Sequence, residues 1–268
     1  MASAPTRLNK ILSHLSTNSC TTNSNEGKIA VILGAGNGLG GSVAKRFAKE
    51  GFTVIVARRT KEKVQPLVDE INKMGKGKCY GYGVDARKED KVIEWVSEIE
   101  NNYGPIEFAV YNIGANVRFG ITETTSRVYY KVWEMACFGG FLFGKECAKY
   151  MKKRGKGCII FSGATASIRG KEGFAAFSGG KQGLRALAMS MAKELGPKGI
   201  HIAHVIIDGG IDSDFIRNMF KMSGKKITNR DMLLQPDEIA NNYWHIYNQK
   251  KNAWTFEMDL RPYSEKWS

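Results

Sequence analysis

The chain has 268 residues, 43% hydrophobic and 25% charged, with 30 glycines against 6 prolines; this is enough to bury a full core and excludes disorder and collagen-like repetition. Its 40 Lys and Arg against 26 Asp and Glu give a formal charge of +14. The densest basic groups, Arg58-Arg59-Thr60-Lys61-Glu62-Lys63, Lys152-Lys153-Arg154 and Lys225-Lys226, are too short for a basic arm, and no zinc-finger or RNA-recognition signature accompanies them, so nucleic acid is not the expected partner.

Residues 1–27 are rich in Ser, Thr and Asn, and Leu8, Ile11, Leu12 and Leu15 recur at helical spacing. They read as a short organelle transit peptide, which would place the chain in the mitochondrion, or as a flexible extension of a cytoplasmic protein. The expected folded domain spans residues 28–262, and residues 263–268 form a tail. Within it, apolar runs at residues 29–33, 53–57, 78–82, 106–111, 158–161, 201–207 and 254–259 read as strands. Amphipathic stretches at residues 40–49, 61–74, 90–102, 128–153 and 174–195 read as helices between them. That alternation predicts an α/β fold, a doubly wound parallel sheet with helices on both faces. His201 and His204 fall three apart in one strand and so on opposite faces, which does not make a metal site. The five cysteines, Cys20, Cys79, Cys137, Cys147 and Cys158, form no CxxC pair, arguing against a disulfide framework and for a reducing intracellular compartment. No apolar run reaches the roughly 18 residues of a membrane span.

The first strand runs into Gly34-Ala35-Gly36-Asn37-Gly38-Leu39-Gly40, followed by an amphipathic helix. Glycines in such a loop let the backbone turn sharply and bring helix-terminal N–H groups against a pyrophosphate. The second strand ends in Arg58-Arg59, where an NAD-selective site has an acid for the ribose hydroxyls. The planar donors of Arg suit a phosphate monoester, so the expected cofactor is NADP(H).

On these residues the chain resembles the short-chain dehydrogenase/reductase family, over essentially all of residues 27–260. The resemblance implies a single-domain Rossmann-type fold. Gly34, Gly38 and Gly40 match the family's TGxxxGxG loop, with Leu33 where Thr is usual. By the same resemblance Asp85-Ala86 would meet the adenine amino group, and Asn112 and Gly114 match the family's Asn-Asn-Ala-Gly, with Tyr111 in place of its first Asn. Gly209, Ile211 and Ser213 occupy the segment that lies along the nicotinamide.

The proton-handling side departs from the pattern. The family's Tyr-xxx-Lys reads Phe177-Ser178-Gly179-Gly180-Lys181, the catalytic Ser position is Ala164, and the tetrad Asn position is Cys137. Lys181 alone is retained, as in a divergent subgroup of the family with Phe for Tyr. General acid-base help is worth about 10²- to 10⁴-fold and an oxyanion donor about 10²- to 10³-fold, so ordinary ketone reduction by the family mechanism is not expected. Tyr111, Cys137, Ser162, Thr165 and Asp208 are the groups that the fold would bring near the nicotinamide; of these Tyr111 and Asp208 add an ionisable group where the family has none. Against that, Tyr111 could pack, Asp208 could cap the next helix and Cys137 could fill the core.

Residues 213–235, with Phe215, Ile216, Met219, Phe220 and Met222, read as a lid over an apolar small-molecule substrate. Gly139, Gly140 and Gly144 on one helix, and Gly179, Gly180 and Gly183 on another, each cost about 1 kcal/mol of helix propensity; the resemblance implies that these helices form the interface of a homodimer or homotetramer. Two functions remain open: an NADP(H)-dependent oxidoreductase for carbonyls, enones or quinones, or a non-catalytic nucleotide-binding subunit.

Overall fold

The computed structural model describes residues 25–222, 224 and 229–264. The transit-like segment up to residue 24, Cys20, Lys225-Lys226 and the last four residues lie outside these. All seven predicted strands are present: β1 Ile29–Leu33, β2 Thr53–Arg58, β3 Cys79–Gly83, β4 Ile106–Tyr111, β5 Gly157–Ser162, β6 Ile200–Ile207 and β7 Glu257–Leu260. They form one sheet in the order β3-β2-β1-β4-β5-β6-β7, and every pairing is parallel.

Strand alternation sorts the core into two layers. Ala30, Ile32, Val54, Val56, Phe108 and Val110 face one side, where helices α1 (Leu39–Lys49) and α2 (Gln65–Lys73) cover them. Val31, Leu33, Ile55, Ala57, Ala109 and Tyr111 face the other. There they pack on α3 (Glu89–Asn102), α5 (Gly139–Arg154) and α6 (Ala175–Leu195). Each Val or Ile buried in this way contributes about 1.5–3 kcal/mol of transfer free energy. Among the described residues no helix is long and apolar enough to cross a membrane.

The helix expected over residues 128–153 is instead three pieces: α4 (Ser126–Trp133), a π-helical stretch Glu134–Phe138, and α5. A π turn widens the backbone and frees carbonyls from the regular ladder, and here Tyr111 Oη donates to the Met135 carbonyl at 2.5 Å. Two further helices follow β6. They are α7 (Asp214–Met222), within the expected lid, and α8 (Pro236–Asn248), which was not expected and covers α1 through Ile239, Ala240, Tyr243 and Ile246.

The helix glycines turn out to serve packing within the chain. A Cβ on Gly144 would stand 2.8 Å from Phe161 Cζ, one on Gly180 2.8 Å from Ala136 Cβ and one on Gly183 2.9 Å from Cys137 Sγ. Close approach of α6 to α4, of α6 to the π-helical stretch, and of α5 to the sheet offsets their propensity cost, so the glycines themselves no longer argue for a subunit interface. A sharper case is Gly41 in α1, where a Cβ would collide with the Gly36 carbonyl oxygen, a backbone atom that cannot swing away. Gly41→Ala is expected to lose about 1–3 kcal/mol of stability, read as a lower urea midpoint at unchanged slope; an unaltered midpoint would contradict the packing described.

Candidate active site

Strand order reverses between β1 and β4, and the chain leaves the carboxyl ends of both strands there, the place where doubly wound sheets hold ligands. After β1, Gly34 turns at φ +100°, and the Gly34 and Ala35 N–H groups both donate to the Ala57 carbonyl, at 2.9 and 3.1 Å. After β4, the Asn112 N–H donates to the Leu33 carbonyl at 2.8 Å and Asn112 Nδ2 to the Gly34 carbonyl at 3.1 Å. α1 then starts at Leu39 with no side-chain cap and no acid in its first turn, and Gly38 faces open space. A helix terminus of this kind, with N–H groups unclaimed by side chains, suits a phosphate. Asn37 stands exposed at the loop tip.

Two cavities meet at Asn112, Ile113 and Gly114. The smaller, about 260 Å³, is lined by Gly34, Gly36, Arg58, Arg59, Asp85 and Ala86, all expected, and by Thr60, Lys63 and Arg87, which were not. Arg58 Nη1 donates to the Lys63 carbonyl at 3.3 Å, bending the strand end around the cavity. Asp85 is engaged by Arg87 through both carboxylate oxygens, at 2.9 and 2.6 Å, and that pairing holds its pKa below the usual carboxylate range. Four cations thus surround one acid at the β2 end. This donor set and the uncapped helix fit the phosphates of a dinucleotide.

The larger cavity, a cleft of about 970 Å³, opens on the other side of Asn112. Its walls carry Leu39, Ala164, Phe177, Lys181, Gly209, Ile211 and Ser213. Lys181 is 3% exposed and donates from Nζ to the carbonyls of Ser162 at 2.8 Å and Ile113 at 3.2 Å. No carboxylate accompanies it among these bonds, and burial pushes its pKa down to about 8. Its Nζ lies 6.0 Å from the Phe177 ring centre, so an aromatic face without a titratable group stands beside the amine. Of the expected lid residues, Ile216 lines the cleft while Met219 and Met222 turn to solvent. The Phe215 side chain lies outside what the structure describes.

The groups considered as substitute proton donors are committed elsewhere. Tyr111 is fully buried, gives its hydroxyl to Met135 and has its pKa raised by burial. Asp208, 1% exposed, accepts from Thr165 Oγ1 at 2.7 Å, from Arg169 Nη2 at 2.7 and 2.5 Å and from Arg261 Nη2 at 2.9 Å. It anchors two arginines rather than capping a helix. Cys137 sits in the π-helical stretch against Gly183, and burial raises its thiol pKa. Ser162 Oγ bonds Tyr243 Oη of α8 at 2.8 Å, on the sheet face away from Lys181. Thr165 lines the cleft, yet its hydroxyl is given to Asp208. The histidines lie on opposite faces as expected: His201 stacks on Trp254 at 4.7 Å, and His204 Nδ1 meets Glu257 Oε2 at 3.0 Å. No cluster of metal-ligand type occurs among the described residues.

The family model described as short chain dehydrogenase matches residues 28–224. Dehydrogenase/reductase SDR family member 4 of Caenorhabditis elegans is 30% identical over 202 residues, covering 70% of this chain and 78% of that protein. The crystal structure of a short-chain dehydrogenase from Rhodopseudomonas palustris is 46% identical, with a TM-score of 0.77 over 89% of this chain and 100% of that one. An alcohol dehydrogenase from Thermococcus sibiricus, complexed with 5-hydroxy-NADP, has a TM-score of 0.78 at 20% identity, over 90% of this chain and 99% of that one, a likeness of fold alone. With its parallel sheet and its glycine loop at the reversal of strand order, the chain belongs to the short-chain dehydrogenase family of oxidoreductases.

Proposed function

We propose that the protein is an NADP(H)-dependent oxidoreductase with a degenerate catalytic tetrad, acting on a small apolar carbonyl, enone or quinone-like substrate. The observation that carries this reading is the pair of joined cavities, one lined by Arg58, Arg59, Lys63 and Arg87, the other by Phe174, Phe177 and Ile216, with Ile113 common to both and its carbonyl accepting from Lys181. The forked donors of Arg58 and Arg59 suit the 2′-phosphate that separates NADP(H) from NAD(H).

A bound nicotinamide supplies or accepts the hydride. The chain's residues do the rest: the glycine loop and the start of α1 hold the pyrophosphate, Lys181 orients ribose hydroxyls, and the apolar wall excludes water. Phe177 and Ala164 offer no hydroxyl to the substrate, which favours acceptors that take hydride without a proton from position 177, such as enones, quinones or iminium-like carbons. A second reading, a nucleotide-binding subunit without turnover, is favoured by one observation: Tyr111, Asp208 and Cys137 are all absent from the cleft wall. The exposed rings of Tyr129, Tyr130 and Phe141 on α4 and α5 suit a homodimer or homotetramer.

NADPH is expected to bind at least about ten-fold more tightly than NADH at low salt, and the double change Arg58→Ala, Arg59→Ala to weaken NADPH by about 10- to 100-fold while sparing NADH. Fluorescence titration reads both, and equal affinities would contradict the assignment. NADPH oxidation across a carbonyl, enone and quinone panel is expected to be fastest with enones and quinones and slowest with simple carbonyls, and Phe177→Tyr with Ala164→Ser should raise carbonyl reduction. Binding without turnover on any member would favour the subunit reading. Light scattering at micromolar concentration should give a dimer or tetramer, and a monomer would contradict it.

A further inference from the structure

We propose that the face at the amino ends of the strands docks the protein on an anionic phospholipid membrane. This goes beyond the oxidoreductase reading and does not rest on it. Because every strand is parallel and the helices between them run back the other way, the helix carboxyl termini gather at that end of the sheet. Basic last turns gather with them: Lys49 closes α1, Lys73 closes α2, Lys152 and Lys153 lie in the last turn of α5 and Lys193 in that of α6. The opposite end, where the cavities open, receives acidic first turns, with Glu89 and Asp90 on α3 and Asp237 and Glu238 on α8. The charge of +14 is thus polarised along the strands.

Helix dipoles favour cations in a last turn, but they do not account for the loops. Lys76 and Lys78 lead into β3, Lys156 into β5, Lys198 into β6, and Lys250 and Lys251 into β7. All six are exposed. Four acids of this end are held by near neighbours: Glu50 by Arg46, Glu100 by Arg154, Glu107 by Lys156 and Glu194 by Lys198. Apart from Lys156 and Lys198, the lysines named on this face make no ion pair among the described residues. Glu26, exposed ahead of β1, can offset only one of them.

The array is broad in both directions. From β3 to β7 it crosses the whole seven-stranded sheet, about 29 Å at the usual strand spacing, and it extends under the helical layers on both faces. A plane of anionic headgroups can meet all of it at once, each lysine near the surface adding to the attraction. A nucleic-acid duplex is a rod that meets one strip, and the basic groups of the chain are too short to supply an arm for its grooves. On the same face a notch of about 540 Å³ brings Lys198 and Lys251 together with Pro197 and Trp254. A tryptophan beside lysines suits the headgroup layer. Docked in this way, the protein turns both cavities away from the membrane, since they lie at the carboxyl ends of the strands.

Vesicle sedimentation of the full chain tests this, with phosphatidylcholine alone and with an equal mixture of phosphatidylcholine and phosphatidylglycerol. The protein is expected to bind the mixed vesicles at least about ten-fold more tightly at low salt, with the preference shrinking as salt is raised. Lys152→Gln with Lys153→Gln, and Lys250→Gln with Lys251→Gln, should each weaken that binding by about ten-fold. Lys88→Gln with Lys91→Gln, the same loss of charge at the cavity end, should change it by less than about two-fold. All six side chains are exposed, so the fold persists. Equal binding to both vesicles, no binding to the mixed ones, or the same loss from all three pairs would overturn the proposal. So would face variants that bind like the unaltered chain, which would assign binding to residues 1–24. Duplex DNA that strips the protein from the vesicles at equal phosphate concentration would overturn it in favour of nucleic acid, and displacement by saturating NADPH would move the contact to the cavities.

Discussion

The tie between Asn112 and the end of β1 is the contact on which both cavities depend. Its N–H and Nδ2 reach the carbonyls of Leu33 and Gly34, at 2.8 and 3.1 Å, and so lock the ends of β1 and β4 together where the strand order turns. Each such bond contributes only about 1 kcal/mol net, but removing one partner strands a polar group at a cost of about 1–3 kcal/mol. Gly34 meets the same constraint from the other side: at φ +100° and against the Asn112 backbone it leaves no room for a Cβ. With that junction rigid, Asn112, Ile113 and Gly114 become a shared wall, one cavity on each side.

Around this wall the two halves of the site have different chemistry. The smaller cavity keeps a polar, cationic lining. On the other side, Phe177 joins Ala115, Val132, Ala136, Ala166 and Ala176 in a small apolar cluster. Lys181 stands at the edge of that cluster with carbonyls as its hydrogen-bond partners, and burial brings its pKa to about 8. The ionisable groups nearby were drawn into the frame: Tyr111 holds the π-helical stretch and Asp208 holds Arg169. The result is a wall that orients more than it donates protons, with the half-buried Arg169 held at it by the acid behind.

The five central strands were legible because parallel strands covered on both faces read as apolar runs, and the two partly exposed edge strands, β3 and β7, also fell within a few residues of their places. The glycine loop, Arg58-Arg59 and Lys181 were legible because spacing along the chain decides them. The break in the helix at Glu134–Phe138 was not, since it depends on a hydroxyl from β4, reached only through the fold. Helix α8, beyond the last helix expected at residues 174–195, carried its own signal: a proline at its start, Asp237 and Glu238 in its first turn and apolar residues at helical spacing. Lys63 and Arg87 were not expected at the cavity, although one lies within a dense basic group and the other two residues beyond Asp85, a signal that could have found both. Arg169 had no such marker: its place in the cleft follows from Asp208, nearly forty residues later in the chain.

A crystal structure of the chain grown with saturating NADPH addresses the central reading most directly. The adenosine phosphate is predicted between Arg58 and Arg59, the pyrophosphate against Gly36, Gly38 and the start of α1, and the nicotinamide ring in the cleft beside Lys181 and Phe177. Nucleotide bound away from the β1 and β4 ends, or none at saturation, would contradict it.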